Sequence, residues 1–377
     1  MVTTRLRAVR HQLGYSAEAV IKLVLSRASA LGLAVMTATS LKTKLSRWEN
    51  GHEAVSEPYQ RLFRDVYGRT NEELGFPPEL IDDEAEELRN RLIVARRVDA
   101  ETVEVFRRQV NDVRHRDRRF GGVTLLDQLR SSIEEVETTL RHGAAQGLRA
   151  ALAGVLTEAS TLAGWESLDR NAVGQAWNHY ERARAAAREA DSPALLAHAT
   201  AEQAFVLIDL GETGRAVEQL AEARTLAGRA VPPLLNAWLA AAHGEGLAAA
   251  GRRAEALRAF DAARTLLPSD PVDPALPFLF LAGAHLDRWR GHALARLGEP
   301  DAITHLHEAL PRLPVEFIRA RTGMLVDLAF AYAAVGDRDA ALDHSRQARR
   351  LGSQIKSDRQ LRRLGRLVLP GGFRGVV

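Results

Sequence analysis

The side chains best suited to recognising another molecule lie between positions 41 and 51, where polar residues recur at helical spacing. At about 100° per residue, Leu41, Leu45 and Trp48 fall on one side of a helix, and polar residues cover the rest. Hydroxyl, guanidinium, ammonium and amide groups form hydrogen bonds with the base edges and phosphates of DNA. The candidate DNA-binding residues are therefore Lys42, Thr43, Lys44, Ser46, Arg47 and Asn50.

Positive charge is concentrated around the same segment. Residues 1–50 contain eight Lys and Arg against two Glu, a net charge of +6, whereas the whole chain of 377 residues carries only +3. A local basic surface supplies the sequence-independent attraction to DNA. A solvated basic surface with no nucleic-acid partner has the same composition, so charge alone leaves both interpretations open.

The composition restricts the class of protein. With 46% apolar and 26% charged residues, the chain has enough apolar side chains for two or three folded domains. The absence of Cys excludes disulfides, thiolate metal ligands and Cys nucleophiles. Lys22 and Arg27 interrupt the apolar run near the start, and no uncharged stretch reaches membrane-spanning length. We expect a cytoplasmic protein with no membrane partner.

The elements around the basic segment form a five-helix module. A first helix covers residues 6–10, and Ser16 caps a second. After the helix at 41–50, residues 58–67 form a fourth helix, and Thr70 caps a final turn. The double proline at 77–78 ends the module near residue 76.

The heptapeptide LSRWENG at residues 45–51, together with Leu6-Arg7-x-x-Arg10, resembles the XRE (Cro/repressor-like) helix-turn-helix family. In that family an Arg of the first helix and a Glu of the third form a structural ion pair. The resemblance places this pair on Arg10 and Glu49. It implies a DNA-binding domain in which Glu49 supports the fold and does not contact DNA.

The chain departs from the family pattern between Ser16 and Thr39, where it is about ten residues longer than a compact five-helix domain. We therefore expect a lengthened second helix at residues 18–31 and a longer turn at residues 32–36. The extra length leaves the position of the third helix relative to the second open.

Residues 77–122 form a charge-rich linker with two predicted helices, at residues 84–97 and 100–114. A narrow apolar seam lies on the second: Val103, Phe106, Val110 and Val113. Such a seam suits either dimerisation or docking on the next domain, and the sequence favours neither. A solvated basic tip at residues 114–119 and a glycine hinge at residues 121–122 are expected to follow.

The remaining two-thirds of the chain repeats one signature five times, an Ala, a bulky residue four positions later and an Ala three positions after that. The copies are Ala176-Tyr180-Ala183, Ala216-Leu220-Ala223, Ala256-Phe260-Ala263, Ala302-Leu306-Ala309 and Ala341-Ser345-Ala348. A turn residue precedes each copy: Asn171, Gly211, Gly251, Gly298 and Gly336. Seven residues before each turn residue stands a small one: Gly164, Ala204, Gly244, Gly291 and Ala329.

Small residues at these positions allow two antiparallel helices to approach closely, and the bulky residue is expected to fill the gap to the neighbouring pair. The signature resembles the tetratricopeptide (TPR) repeat, most completely at residues 244–268. The resemblance implies an α-solenoid of five helix pairs within residues 123–367, with a capping helix within residues 124–160 and a tail at residues 368–377.

An α-solenoid presents a concave surface lined by the first helix of each pair. Counted from the turn residues, the ligand-groove candidates are Trp165, Asp169, His198, Phe205, Asp209, Asn236, Trp238, Glu245, His285, Arg288, His292 and Arg296. Aromatic rings alternate there with charges of both signs, which suits an extended peptide or a small molecule. Any solenoid needs polar residues on an exposed surface, so each assignment is a hypothesis.

Patterns for catalysis or metal binding are missing from the sequence. It has no phosphate-binding Walker loop and no G-x-S-x-G nucleophile turn. The histidines at positions 285, 292, 305 and 307 have no third ligand at metal-binding spacing. We expect no catalytic residues, no metal and no cofactor.

A helix-turn-helix domain at residues 1–76, the linker at 77–122 and TPR-like repeats at 123–367 resemble the peptide-pheromone-responsive bacterial regulators of quorum sensing. The resemblance implies an all-α homodimeric transcription regulator that binds a double-stranded DNA operator. Its repeats would sense a signalling peptide or small molecule and control the geometry of the dimer. The alternative is a protein-interaction scaffold that binds a partner protein in the groove.

Overall fold

The computed structural model describes residues 4–77, 83–121, 125–142, 145–228, 231–279, 281 and 284–369. These residues form nineteen α-helices and no β-strand, which confirms the predicted all-α fold. The chain divides into two compact units, Met1–Leu88 and Arg89–Val377. Within the described residues, no helix is long and apolar enough to cross a membrane.

The first unit contains five helices and the start of a sixth. They are α1 (Arg5–Gln12), α2 (Ala17–Ala30), α3 (Ala38–Glu49), α4 (Glu57–Tyr67), α5 (Asn71–Leu74) and α6 (Asp83–Arg97), which continues into the second unit. Ser16 caps α2 by accepting a hydrogen bond from the backbone of Ala19, and Thr70 and Glu73 form a reciprocal capping box. The predicted long second helix and longer turn are confirmed. Of the proline pair expected to end the module, residue 78 lies outside the described residues.

The apolar side of α3 is fixed by the core of the first unit. Leu41, Leu45 and Trp48 are buried, as predicted. The Trp48 ring centroid lies 5.0 Å from that of Tyr59 and 5.9 Å from that of Phe63, both on α4. Helix α2 packs against α3 and α4, whereas α1 packs against α3 and α5. The opposite side of α3 is left exposed.

Thirteen further helices lie in the second unit. They are α7 (Ala100–Phe120), α8 (Leu125–Arg141), α9 (Gln146–Asp169), α10 (Val173–Glu189), α11 (Pro193–Leu210), α12 (Thr213–Ala227), α13 (Pro233–Ala249), α14 (Arg253–Leu266), α15 (His285–Arg296), α16 (Asp301–Ala309), α17 (Ile318–Ala334), α18 (Arg338–Gln354) and α19 (Asp358–Leu364). The ten helices from α9 to α18 make the five predicted pairs. Helix α8 is the predicted capping helix.

The turn inside each helix pair has the backbone conformation that its residue favours. All five predicted turn residues have positive φ, from 58° at Asn171 to 87° at Gly336. This left-handed conformation is strained for most side chains but readily adopted by Gly and tolerated by Asn. The spacing of the repeat was therefore readable from residues whose type the turn requires.

In three of the five signatures, the bulky residue packs on a glycine of its own helix pair. A Cβ atom on the small residue would lie 2.8 Å from Tyr180 at Gly164, 2.9 Å from Phe260 at Gly244 and 2.8 Å from Leu306 at Gly291. The bulky residue of the second helix therefore lies directly on the glycine of the first helix in the same pair. The bulky residue also reaches the neighbouring pair, as predicted: a Cβ on Gly246 of α13 would lie 2.5 Å from Leu220 of α12, and the Tyr180 hydroxyl donates a hydrogen bond of 3.3 Å to Glu202 of α11.

Helix α7 belongs to the core of the second unit. Its seam, residues 103, 106, 110 and 113, is buried in one cluster with side chains of α8 and α9. The sequence left dimerisation and docking on the next domain open for this seam. The structure shows docking, because the seam packs on α8 and α9 of the same chain. The helix also runs past the predicted end at residue 114, and Arg114 is buried beside Glu158, 3.0 Å away, instead of forming a solvated tip. Residue 122 of the predicted hinge and residues 370–377 of the predicted tail lie outside the described residues.

The two ends of the second unit meet across its concave side. Helix α17 contacts α7, and α19 contacts both α9 and α17. Ser357, just before α19, donates a hydrogen bond of 2.6 Å to Asp169 at the end of α9. The first and last elements therefore cover part of the surface that an open solenoid would leave free.

Candidate functional site

The predicted DNA-binding residues lie mostly on the exposed side of α3. Lys42, Thr43, Ser46 and Arg47 are exposed, and Lys44 and Asn50 are half-buried. The exposed side thus carries two hydroxyl groups and two cationic side chains, all hydrogen-bond donors. These groups are of the type that contacts base edges and phosphates.

A buried ion pair anchors the other side of α3. The Arg10 Nε atom lies 2.6 Å from Glu49 Oε1, and Arg10 Nη2 lies 2.8 Å from Glu49 Oε2. This two-point contact confirms the ion pair implied by the XRE resemblance. The hydrogen bond to Glu49 raises the pKa of Arg10 despite the opposing effect of burial. Glu49 is committed to the fold, as expected.

Glu53, just after α3, pairs with two of the candidate cations. Its carboxylate accepts a hydrogen bond from Lys44 Nζ and lies 3.2 Å from Arg47 Nε. The Lys44 hydrogen bond, with the charges of both cations, holds the pKa of Glu53 below its usual value. DNA phosphates would compete with Glu53 for these two side chains.

Asn50 has a role inside the first unit that differs from the predicted one. Its Oδ1 atom accepts a hydrogen bond of 2.9 Å from Arg7 Nη1, and its Nδ2 atom donates one of 2.7 Å to the Ser46 carbonyl. It is also the C-terminal cap of α3. Its side chain stabilises the end of the helix, so the structure gives Asn50 a role within the fold.

The second unit encloses a cavity of about 280 Å³ on its concave side. Nine of the twelve predicted groove residues line it: Trp165, His198, Phe205, Trp238, Glu245, His285, Arg288, His292 and Arg296. Within the repeats, the lining side chains come from the first helices α9, α11, α13, α15 and α17 and from the loops before α15 and α17. The concave surface therefore lies where the turn residues placed it.

Three predicted groove residues lie outside the lining. Asp169 is buried beneath the cavity, with Oδ2 3.1 Å from Arg319 Nε. Asp209 forms a two-point ion pair with Arg359, at 2.6 and 2.8 Å. Asn236 donates a long hydrogen bond of 3.5 Å to the carbonyl of Val231. Both aspartates thus hold arginines of other helices, which the repeat register could not reveal.

Aromatic rings form one wall of the cavity. The His198 ring lies 4.9 Å from Trp238 and 4.5 Å from Phe278 between centroids. Trp238 lies 5.6 Å from Trp289, which is stacked at 6.3 Å on Phe205. We call these five rings the aromatic wall. Trp238 is also part of the main apolar core, so truncating it would remove core packing together with the wall.

A second wall consists of buried charge networks. At its centre, Arg319 lies 2.5 Å from Asp117, 3.1 Å from Glu166 and 3.1 Å from Asp169. Burial raises the pKa of Glu166 well above its usual value, and Arg319 only partly opposes this. The pKa of Arg319 rises because the three surrounding acids outweigh its burial. This cluster ties α17 to α7 and α9.

His292 bridges two carboxylates deep in the same cavity. Its Nδ1 atom lies 2.8 Å from Asp327 and its Nε2 atom lies 3.3 Å from Glu245. Burial lowers the pKa of His292, but the two carboxylates outweigh burial and raise it. Asp327 also pairs with Arg363 of α19 at 2.6 Å. His292 is therefore best described as a cation that satisfies two acids.

His198 and Glu202, one turn apart on α11, differ from His292 because burial favours their neutral forms. Burial lowers the pKa of His198 to about 3 and raises the pKa of Glu202 to about 7. Their side chains lie 3.6 Å apart. Both groups favour their neutral forms because the cavity desolvates them.

Most of the unpredicted lining residues lie on the same first helices of the pairs, but six come from helices outside the repeat signature. These are Arg114, Asp117 and Arg118 of α7 and Arg359, Gln360 and Arg363 of α19. Phe278 and Phe317 come from loops between helix pairs. The register that located the groove applies only to the first helix of each pair, so it could not place α7 or α19. The Arg-rich run at 114–119 was predicted only as a solvated tip, and the similar run at 359–366 is a signal that the sequence analysis did not use.

Metal chemistry finds no support in the described parts of the chain. There, no group of three or more His, Asp and Glu side chains is arranged to hold a metal ion. Four of the carboxylates that line the cavity face arginines or His292, and the fifth, that of Glu202, lies beside Tyr180 and His198.

Comparison with known proteins gives a likeness to solved structures only. No family model matches the chain, and no curated protein matches it. Among solved structures, the chain is similar to the TPR domain of P58(IPK), with 15% sequence identity over 88% of this chain and 83% of that one, at a TM-score of 0.25. The TPR-like architecture therefore rests on the five helix pairs of this chain, from α9 to α18.

Proposed function

We propose that this chain is a sequence-specific DNA-binding transcription regulator whose second unit senses a small molecule. The observation that carries the proposal is the division of α3. The Arg10–Glu49 ion pair and the buried Trp48 fix one side of α3 to the core of the first unit. Exposed side chains that donate hydrogen bonds cover the other side of the helix. A helix held in this way can enter a DNA major groove as a rigid body.

In this proposal, Thr43, Ser46 and Arg47 read base edges, and Lys42 and Lys44 bind phosphates. The DNA-binding domain covers residues 1–76. The two α3 helices of a homodimer would meet half-sites about 34–36 Å apart, one turn of DNA. A ligand that changes the separation of the two helices would change the affinity for the operator.

The cavity supports the sensing part of the proposal. Its volume of about 280 Å³ is near the lower end of the range for small-molecule sites, roughly 300–1,000 Å³. An extended peptide along an open groove would need the surface that α7 and α19 already cover. The geometry favours a small molecule, or one end of a short peptide, as the signal.

Retention of random genomic DNA fragments over a salt series tests the proposal. We expect retention that falls steeply with salt, because binding releases counterions. Arg47→Ala should weaken binding and Lys42→Ala should flatten the salt dependence, whereas Arg27→Ala should do neither. Arg27 is a matched control because it is an exposed α2 residue paired with Asp65. Equal, weak retention of all four proteins would contradict the proposal and favour a protein-interaction scaffold.

A further inference from the structure

Most arginines that line the cavity are neutralised by a carboxylate of the chain. Four of them have such a partner: Arg114 with Glu158 at 3.0 Å, Arg319 with Asp117 at 2.5 Å, Arg359 with Asp209 at 2.6 Å and Arg363 with Asp327 at 2.6 Å. Burying a charge is costly unless it is paired. In these four pairs, a carboxylate of the chain compensates the charge of an arginine that lines the cavity.

Arg288 and Arg296 are different. They stand eight residues apart on α15, so both lie on the helix side that faces the cavity, with His292 between them. Neither forms an ion pair or hydrogen bond with the described part of the chain. The Nε atom of Arg288 is fully buried and has no hydrogen-bond partner among the described residues.

The acids that attract these two arginines are engaged by other groups. Desolvation lowers the pKa of both arginines, and the charges of Glu245 and Asp327 oppose this by raising it. The carboxylates of these two acids pair with His292, and that of Asp327 also pairs with Arg363. By accessible surface Arg296 is exposed and Arg288 is half-buried, so an incoming group can reach both. The cavity therefore carries two positive charges without anionic partners, within the described residues, beside the aromatic wall.

We propose that this cavity binds a small organic anion, whose carboxylate or phosphate group pairs with Arg288 and Arg296 and whose flat apolar part packs on the aromatic wall. Guanidinium groups match both oxyanions through paired hydrogen bonds. Trp238, Trp289 and Phe278 offer ring faces to an aromatic or conjugated group. The inference rests on the proposed sensing role, for which it names the chemical class of the signal.

The first test compares ligands of equal shape and different charge. The probes are indole-3-acetate and phenylacetate, their neutral amides indole-3-acetamide and phenylacetamide, and inorganic phosphate, all at constant ionic strength. Thermal unfolding and calorimetric titration of the full chain measure binding. At least one aromatic carboxylate should bind about tenfold or more tightly than its amide, because hydrogen bonds to charged groups are the stronger ones. It should also bind more tightly than phosphate, which lacks the part that contacts the wall.

The second test uses Arg288→Gln, Arg296→Gln and the double variant, with Arg290→Gln as a matched control. Arg290 lies on the same helix but outside the lining, and it pairs with Asp261. Without ligand, Arg288→Gln should unfold at the same or a higher temperature than the wild type, because a half-buried charge without an ion-pair partner among the described residues is removed. The double variant should lose the carboxylate response, and Arg290→Gln should keep it.

Three results would overturn the inference. They are no carboxylate shift in the wild type, equal binding of carboxylates and amides, and an undiminished shift in the double variant. DNA retention measured on the same samples distinguishes failure of the anion site from failure of the proposed function. If carboxylates bind but DNA retention is absent, the anion site stands and the regulator proposal fails. If DNA retention responds only to neutral ligands, the regulator proposal stands and the anion site fails.

Discussion

Arg319 on α17 and Asp117 on α7 lie 202 residues apart in the sequence, yet their side chains form a two-point ion pair with contacts of 2.5 and 3.0 Å. Glu166 and Asp169 of α9 complete the cluster around the same guanidinium. The pair joins an element that precedes the repeats to the last repeat. It makes the second unit a closed structure around its cavity instead of an open solenoid.

Replacing the central cation should open this closure. Arg319→Gln removes the only guanidinium that faces Asp117, Glu166 and Asp169 together within the described residues. Breaking a buried pair by removing one partner costs about 3–5 kcal/mol, since the remaining charges stay buried. We expect a loss of that size in the free energy of unfolding, measured by urea denaturation.

Arg312→Gln provides the control for that experiment. Arg312 pairs with Asp287 at 2.8 Å, but its side chain is 52% exposed. Exposed pairs contribute about 0–1 kcal/mol, so this variant should remain near the wild type. Equal effects of the two substitutions would show that the buried cluster does not hold the ends together.

The close approach inside helix pairs predicts the effect of a single methyl group. In Gly244→Ala, the new Cβ would lie 2.9 Å from the Phe260 ring, which must shift. Overpacking of this kind costs about 1–3 kcal/mol and should lower the thermal midpoint. Gly214→Ala, in α12, meets no atom within 4 Å and should instead stabilise by about 0.5–1 kcal/mol. If Gly244→Ala stabilises the protein as Gly214→Ala does, the contact between Gly244 and the Phe260 ring has room for a methyl group, which would contradict the account.

The neutral His198 predicts acid sensitivity of the second unit. Its pKa in the folded chain is about 3, below the value of about 6.5 in an unfolded chain. Between these values the folded state binds fewer protons, so the stability contribution is present above pH 6.5 and is lost as pH falls toward 3. His198→Phe keeps a ring against Trp238 and Phe278. It should reduce the loss of stability between pH 6.5 and 4.

Glu202→Gln is a control whose stability should change with pH in the opposite direction to that of His198→Phe. The pKa of Glu202 in the folded chain is about 7, above its unfolded value, so its contribution is present below pH 4.5 and is lost as pH rises through 7. The variant should therefore gain stability relative to the wild type at pH 8 and little at pH 4. Parallel pH profiles for the wild type and both variants would contradict the assigned neutral forms.

The contact between Glu53 and the α3 cations predicts a gain of function. Glu53→Gln releases Lys44 and Arg47 from a carboxylate that competes with DNA phosphates. Ion pairs near the surface are weak, so DNA affinity should rise by no more than about fivefold at low salt. Glu57→Gln changes the net charge equally from an exposed position in the first turn of α4. Fluorescence anisotropy on one duplex compares the two, and equal affinities would remove Glu53 from the DNA-binding surface.

Those parts of the fold that depend on local residue requirements could be predicted from the sequence. Asn171 and the four turn glycines marked the repeats because their positions need positive φ. Ser16 and Thr70 marked helix starts because their side chains accept backbone hydrogen bonds there. Such signals also placed the first helices of the pairs, and hence nine of the twelve groove residues, around the cavity.

Long-range contacts could not be predicted in the same way. Asp169 and Asp209 have the correct helical positions, but their partners Arg319 and Arg359 lie 150 residues away. No periodic pattern links α19 to α9, because a single terminal helix has no repeat. The seam on α7 was visible, yet its partner was not, since dimerisation and docking require the same apolar spacing.

Sequencing of captured genomic DNA tests the central claim most directly. The wild type and Arg47→Ala are incubated with the same fragment pool at one salt concentration, and the retained fragments are sequenced. We predict that the wild type enriches a motif with two related halves, separated centre to centre by about 10–10.5 base pairs or a multiple of that spacing. The Arg47→Ala protein should lose this enrichment. Identical fragment sets from the two proteins, with no motif enriched by the wild type alone, would contradict the claim that α3 reads DNA.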